Sequence, residues 1–379
     1  MTIGESGLRL GVLGPLLMTV DGTAVALGTP KQRAVMAMLI INRNRPVGTD
    51  SLINAVWGES PTPAARTSLH SYVSNLRRII SDTGVDTRQV LASAPPGYQL
   101  SIADADCDLG RFNVEKSKGV QAAAASKFEQ ASGHLSAALE QWRGEVLADL
   151  RDFPFVEPFA TAVTEDKVLV HTARAEAEIA CGRAYAVIGE LEALTAEHPY
   201  REPLWAQLIT AYYVTERQSD ALNAYRRLKT TLADELGIDP GPTINTLYER
   251  ILRQEPLDTK RAAQNTAVAR TKTALRGRTA AGEPSTAAGL RDSAGQLHRL
   301  RATATRIGRD ADNEIVLDDA FVSRHHAAVV DTGSSFVIID LRSANGVEVQ
   351  GQRIHTSANL TDGDVIGIGD HEFTFQIGE

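Results

Sequence analysis

The sequence predicts a multidomain α+β chain: a winged helix-turn-helix at the N-terminus, an all-α middle and a C-terminal all-β sandwich. Three observations carry this reading. Residues 8 to 102 pass from strand-like text (LRLGVLGPLLMTV, then TAVAL) through helical text to a hairpin. Residues 108 to 253 are rich in Ala, Leu and Glu, with apolar residues at i, i+3, i+4 almost throughout. Residues 297 to 379 hold short apolar runs (EIVL, HAAVV, FVIIDL, GVEV, DVIGIG) separated by Gly, Asp and Asn, the spacing of a sandwich.

The bulk properties narrow the function classes. A chain of 379 residues has room for two or three cores. The net charge of −8 excludes a molecule-wide polyanion surface, so any basic site is local. Cys107 and Cys181 are far apart and form no CxxC pair. That argues against a zinc site or a disulfide framework and fits a reducing compartment. No signal-peptide pattern opens the chain, and no run reaches the ~18 apolar residues of a membrane span. A cytoplasmic chain with no membrane partner and no cofactor is expected.

In the first segment, Thr29-Pro30 and Gln32 predict a capped helix start with a capping box. A second helix is predicted from Thr49-Asp50, with Leu52, Ile53, Val56 and Trp57 on its buried side. A third is predicted from Thr62-Pro63 to a stop at Gly84. There Leu69, Val73, Leu76 and Ile80 make one apolar face, and the other carries Arg66, His70, Ser74, Arg77 and Arg78. VLASAPPGYQLSI reads as two strands around a Pro95-Pro96-Gly97 turn. Three helices closed by a hairpin form a winged helix, whose basic third helix fits the major groove. An ordinary amphipathic helix with a solvated basic side has the same pattern.

The runs LGPLLM, GTPKQRAVMAMLIINRNRPV, LINAVWG, SLHSYVSNLRRII and PPGYQL together resemble the DNA-binding domain of SARP-type bacterial regulators, a winged helix of the OmpR kind. The resemblance covers about residues 8 to 102. It implies that Arg66, His70, Ser74 and Arg78 face promoter DNA and that Arg77 contacts phosphate. It also implies that the turn Gly58 to Thr62 faces RNA polymerase. Nine Lys/Arg stand against eight Asp/Glu over residues 1 to 106, so one copy should bind modestly and two copies on repeated half-sites better.

CDLGRF, the stretch 192 to 242 and LYERIL resemble the bacterial transcriptional activation domain of the same regulators, with helix pairs like tetratricopeptide repeats. Trp205, Tyr212, Tyr213 and Tyr225 either line a groove or pack the pairs together. The resemblance leaves room for self-association, as in a homodimer. Residues 254 to 296 have few large apolar residues and no steady period, with Lys260, Arg261, Arg270, Lys272, Arg276, Arg278 and Arg291 among them. They are expected to be a flexible linker before a C-terminal domain over 297 to 379.

SRHHAAVV (323 to 330) is open to three chemistries: a metal at adjacent histidines, a serine nucleophile, or an anion site. Neighbours on a strand point to opposite faces, which disfavours a shared metal at His325 and His326. No nucleophile-elbow text accompanies Ser323, and the chain has no GxxxxGK[ST] loop, so an enzyme is not expected. Gly308-Arg309, Ser323-Arg324-x-His326 and Asn345-Gly346 lie in order between strands. These blocks resemble a forkhead-associated (FHA) domain, a phosphothreonine-binding β-sandwich. A phosphothreonine needs a guanidinium, a hydroxyl and backbone donors on rigid loops. The resemblance assigns these to Arg309, Ser323 and Arg324, with Asn345 on the peptide backbone. Gly308, His326 and Gly346 take structural roles, and His325 falls on the rim. Many relatives carry Ser or Thr where this chain has Ala344, so a hydroxyl is missing there. Together the three resemblances imply a transcription factor whose FHA domain docks an autophosphorylated Ser/Thr kinase. A phospho-dependent adaptor or kinase antagonist with little DNA binding is the alternative.

Overall fold

The structure, a computed structural model, describes residues 7–58, 61–82, 84, 86–276, 288–300, 304–333 and 335–378. The chain divides into two compact units, Met1–Val114 with Glu140–Asp166 and Thr273–Glu379, and Glu115–Leu139 with Lys167–Lys272.

The first unit opens with an antiparallel sheet, β1 (Leu8–Gly11), β2 (Leu17–Val20) and β3 (Thr23–Ala24). Helix α1 (Pro30–Ile41) follows, with Thr29 as its cap and Pro30 in the first turn. The capping box does not close. Gln32 turns instead to the Leu27 carbonyl, because its amide is buried and needs an acceptor. After β4 (Val47–Gly48) comes α2 (Thr49–Trp57), then α3 (Ala65–Ser81). Helix α3 starts at Ala65 rather than at Thr62-Pro63, and Ala64 at its cap offers no side-chain acceptor. Leu69, Val73, Leu76 and Ile80 are all buried, as their spacing predicts. Trp57 is only half-buried: it stacks on Tyr72 and carries the Lys31 ammonium over its face. A short α4 (Thr87–Val90) leads into β5 (Leu91–Ala94) and β6 (Gly97–Leu100), which form the wing hairpin with β4 on its edge.

The motif CDLGRF anchors this domain. Asp108, almost fully buried, accepts from the backbone N–H groups of Val12 and Leu13 at 2.9 Å each, and pairs with Arg143. A buried carboxylate is tolerated when donors surround it.

The helices of the middle are α5 (Asp108–Ala124), α6 (Phe128–Leu139), α7 (Val156–Ala180), α8 (Tyr185–Glu197), α9 (Glu202–Val214), α10 (Gln218–Leu236) and α11 (Pro242–Leu252). In the second unit α8 to α11 pack around Leu204, Trp205, Leu208, Leu228 and Ile251. Trp205, Tyr212 and Tyr225 are buried in that core, which makes them packing residues rather than groove walls.

The expected linker is a helix over much of its length. Helix α12 (Thr259–Arg276) lays Ala263 and Ala267 against Ala123, Phe128, Ala131, Ala177 and Ala180. Residues 277–287 lie outside the described residues. The sandwich begins at β7 (Ala288–Asp292), not at 297.

The remaining strands are β8 (Leu297–Arg299), β9 (Ala304–Gly308), β10 (Ile315–Val316), β11 (Ala327–Asp331), β12 (Phe336–Asp340), β13 (Val347–Val349), β14 (Gln352–Arg353), β15 (Ser357–Leu360), β16 (Val365–Ile368) and β17 (His371–Ile377). They form two sheets, ordered β10-β9-β11-β12-β15 and β14-β13-β16-β17-β7-β8. Between them lie Leu290, Ile307, Val329, Ile338, Ile366, Phe373 and Phe375. No helix is long and apolar enough to cross a membrane, among the described residues.

Candidate functional site

At one end of the sandwich three loops converge: the end of β9 with Arg309, residues 319 to 326, and residues 341 to 346. His326 joins two of them. Its Nδ1 accepts from the Ser323 N–H at 3.0 Å, which leaves the ring proton on Nε2. Nε2 then donates to the Gly346 carbonyl at 2.9 Å. The ring is fully buried, so both bonds form where water cannot replace them. The backbone ties the third loop, as Arg309 N–H donates to the Ser323 carbonyl at 3.0 Å.

Ser323 Oγ accepts from the Ala344 N–H at 3.1 Å. Its own hydroxyl hydrogen is therefore available to a further acceptor. Asn345 Nδ2 donates to the Phe321 carbonyl at 2.7 Å, and the side chain is exposed. Ser343 does not replace the hydroxyl absent at Ala344. Its Oγ is used by the Gly346 N–H at 2.9 Å, closing the turn. Gly308 is pressed against backbone: a Cβ there would meet the Arg324 carbonyl oxygen at 2.2 Å.

Arg309 and Arg324 are exposed, and their guanidinium groups make no hydrogen bond or ion pair among the described residues. Arg306, by contrast, is held by Asp312 and Glu314. Asp319 fixes the start of the middle loop. The Phe321 and Asp370 N–H groups hold its carboxyl below the usual carboxylate range.

Sequence reasoning missed Asn313. It is buried and donates to the carbonyls of Asp310 at 2.7 Å and Arg324 at 2.8 Å, tying together the two loops that carry Arg309 and Arg324. His325 is half-buried and touches Asn313 Oδ1, so it belongs to this support rather than to a free rim. No group of three metal-ligating side chains occurs among the described residues.

On α3, Arg66, His70, Ser74 and Arg78 are exposed. Arg66 pairs with Asp50 and Arg78 with Asp82. His70 Nδ1 lies 2.6 Å from the Tyr98 hydroxyl on the wing. Arg77 points differently: it donates to the Leu91 carbonyl at 2.9 Å and Ser93 Oγ at 3.0 Å, lying over the Tyr98 ring. It fastens the helix to the wing.

Three domain families match the chain. "Transcriptional regulatory protein, C terminal" covers residues 22–100, "Bacterial transcriptional activator domain" 107–252 and "FHA domain" 305–369. The transcriptional regulatory protein EmbR of Mycobacterium tuberculosis is 68% identical over 98% of this chain and 96% of its own length. The chain belongs to the EmbR family of transcriptional regulatory proteins. A solved structure of Mycobacterium tuberculosis EmbR in complex with a low affinity phosphopeptide superposes with a TM-score of 0.95, at 67% identity over 99% of each chain. MoaR1 of the same organism is 55% identical over 66% of this chain and 81% of its own length. AfsR of Streptomyces coelicolor is 37% identical over 66% of this chain but only 25% of its own. Like EmbR, this chain is a transcriptional regulator with an OmpR-like DNA-binding domain, a helical activator domain and an FHA domain, and the resemblance read from the sequence is borne out.

Proposed function

We propose that this regulator binds promoter DNA through the exposed face of α3 and receives a phosphothreonine of a Ser/Thr protein kinase at its FHA loops. Arg309 and Arg324 supply charge, Ser323 donates its hydroxyl hydrogen to a phosphate oxygen, and Asn345 holds the peptide backbone. His326, Gly308 and Gly346 keep the loops in place. The observation that carries the reading is the pair of uncompensated guanidinium groups beside a serine whose hydroxyl hydrogen is free. Residues 296 to 379 hold seven Arg and no Lys against thirteen Asp/Glu, and in such an acidic domain the cluster selects a local anion. The phosphopeptide bound to Mycobacterium tuberculosis EmbR supports the same reading.

Kinase docking would bring the chain itself within reach of phosphorylation, with an effect on DNA affinity. RNA polymerase at residues 58 to 62 and a homodimer on repeated half-sites complete the proposal. Arg309→Ala or Ser323→Ala should abolish phosphothreonine-peptide binding by the full chain and leave its DNA binding without kinase unchanged. Unchanged peptide affinity would remove the assignment. Selection of genomic fragments at near-physiological salt tests the DNA side. The Arg66–Asp50 and Arg78–Asp82 pairs favour a second reading, a phospho-dependent adaptor. An empty selection, with and without kinase, would decide for it.

A further inference from the structure

Arg353 on β14 lies against the tip of the loop that carries Asn345. Gly346 takes φ +82°, and a Cβ built on it would lie 2.3 Å from Arg353 Nε and 2.7 Å from Cζ. The guanidinium therefore occupies the space that only a glycine leaves open. Arg353 is exposed and forms no hydrogen bond or ion pair among the described residues. This holds although Glu348 sits directly opposite in the β13–β14 ladder. The other arginines of neighbouring loops are committed, Arg306 to Asp312 and Glu314, Arg342 to Glu157. Among the described residues, Arg309, Arg324 and Arg353 are left without partners around one set of loops.

We propose that Arg353 is a specificity residue that reads a second anionic side chain, a carboxylate or another phosphate, flanking the phosphothreonine. The proposal rests on the phosphothreonine reading of Arg309, Ser323 and Asn345. A peptide held by Asn345 must cross the Gly346 tip, where its neighbouring side chains meet the Arg353 fork. A planar guanidinium suits both anions, since each accepts two parallel N–H bonds. The contact is exposed, so the gain is modest, about 2- to 5-fold in affinity.

The test uses the full chain and fluorescence anisotropy. One phosphothreonine peptide has only alanines around the phosphate. A second series moves a single glutamate through the flanking positions, and a third places a second phosphothreonine at the best of them. We expect one register of glutamate to bind more tightly than the alanine peptide, by about 2- to 5-fold. Arg353→Ala should erase that gain while leaving the alanine peptide unaffected, and Arg353→Lys should keep part of it. The third series tells which anion is preferred. The proposal is overturned if no register helps, or if Arg353→Ala weakens every peptide equally. A wild-type chain that binds none of the peptides would overturn the phosphothreonine reading itself, and this proposal with it.

Discussion

His326 shows how one side chain sets the geometry of a site it does not line. Both ring nitrogens are spent inside the fold, on the Ser323 N–H and the Gly346 carbonyl. His326→Ala would leave both groups buried without partners, at about 1–3 kcal/mol each. We expect the variant to lower the melting temperature and to weaken phosphothreonine-peptide binding at least tenfold, roughly one lost bond's worth. Anisotropy and a thermal melt check this together; unchanged peptide affinity in a destabilised protein would show that the loops hold without the ring. The residue types of this cluster were legible in the sequence, because Gly-Arg, Ser-Arg-x-His and Asn-Gly are separated by strands. Asn313 was not. Its role depends on reaching the Asp310 and Arg324 carbonyls at once, and in sequence it is one more polar residue in a turn. Arg353 was equally silent, since only the fold brings β14 beneath Gly346.

At the scale of elements, burial separates two neighbouring arginines on α3. Arg78 is exposed and, among the described residues, pairs with Asp82, whereas Arg77 is bound to the wing. Arg78→Ala should reduce the slope of log affinity against log salt by about one, as for a phosphate contact. Arg77→Ala should leave the slope nearly intact and loosen the β5–β6 hairpin by about 1 kcal/mol. Salt titrations of DNA binding with both variants decide, and equal slopes would reverse this assignment. The helical face itself was readable from i, i+4, i+7 spacing, but the carbonyl partner of Arg77 comes from a strand fourteen residues away.

Helix α12 was misread for a related reason. It contains few large apolar residues, and its own share of the contact is two alanines, set against four more and Phe128. Small residues that let helices approach closely look like linker composition until the partner helix is known. Alanine also has the highest helix propensity, which the absence of a hydrophobic stripe concealed. Arg270 adds a polar tie to Glu176 at 2.9 Å. Burial pushes the Glu176 carboxyl up, against the pull of Arg270. Arg270→Ala should therefore cost about 2–4 kcal/mol by stranding that carboxyl. Faster trypsin cleavage at Lys260 and Arg261 would report the release of α12, and an unchanged digest would assign its stability to the alanine contact alone.

For the molecule as a whole, the sandwich belongs to the first unit, a placement with no signature in the sequence. Its β11–β12 face packs Val330, Val337 and Ile339 around Ala162, in the first turns of α7. Polar ties surround this patch. Ser357 donates to Glu165 at 2.8 Å, Ser335 to Asp166 at 2.7 Å, and Asn113 Nδ2 to the Thr332 carbonyl at 3.0 Å. Arg45 of the winged helix pairs with Asp331 at 2.9 Å. The domains were legible one by one because each has its own period. Their docking was not, because it depends on an alanine and scattered hydroxyls that carry no pattern. Ala162 is fully buried, so Ala162→Arg must expel the β11–β12 face or bury a charge, and expulsion is cheaper. The sandwich keeps its own core of Ile307, Val329 and Phe375, which does not include Ala162. We therefore expect Ala162→Arg to retain phosphothreonine-peptide affinity while amide exchange rises over residues 157–166, 335 and 357. Exchange that stays as slow as in the wild type would show that this face does not hold the sandwich in place. Peptide binding lost together with protection would show that the loops depend on the docking.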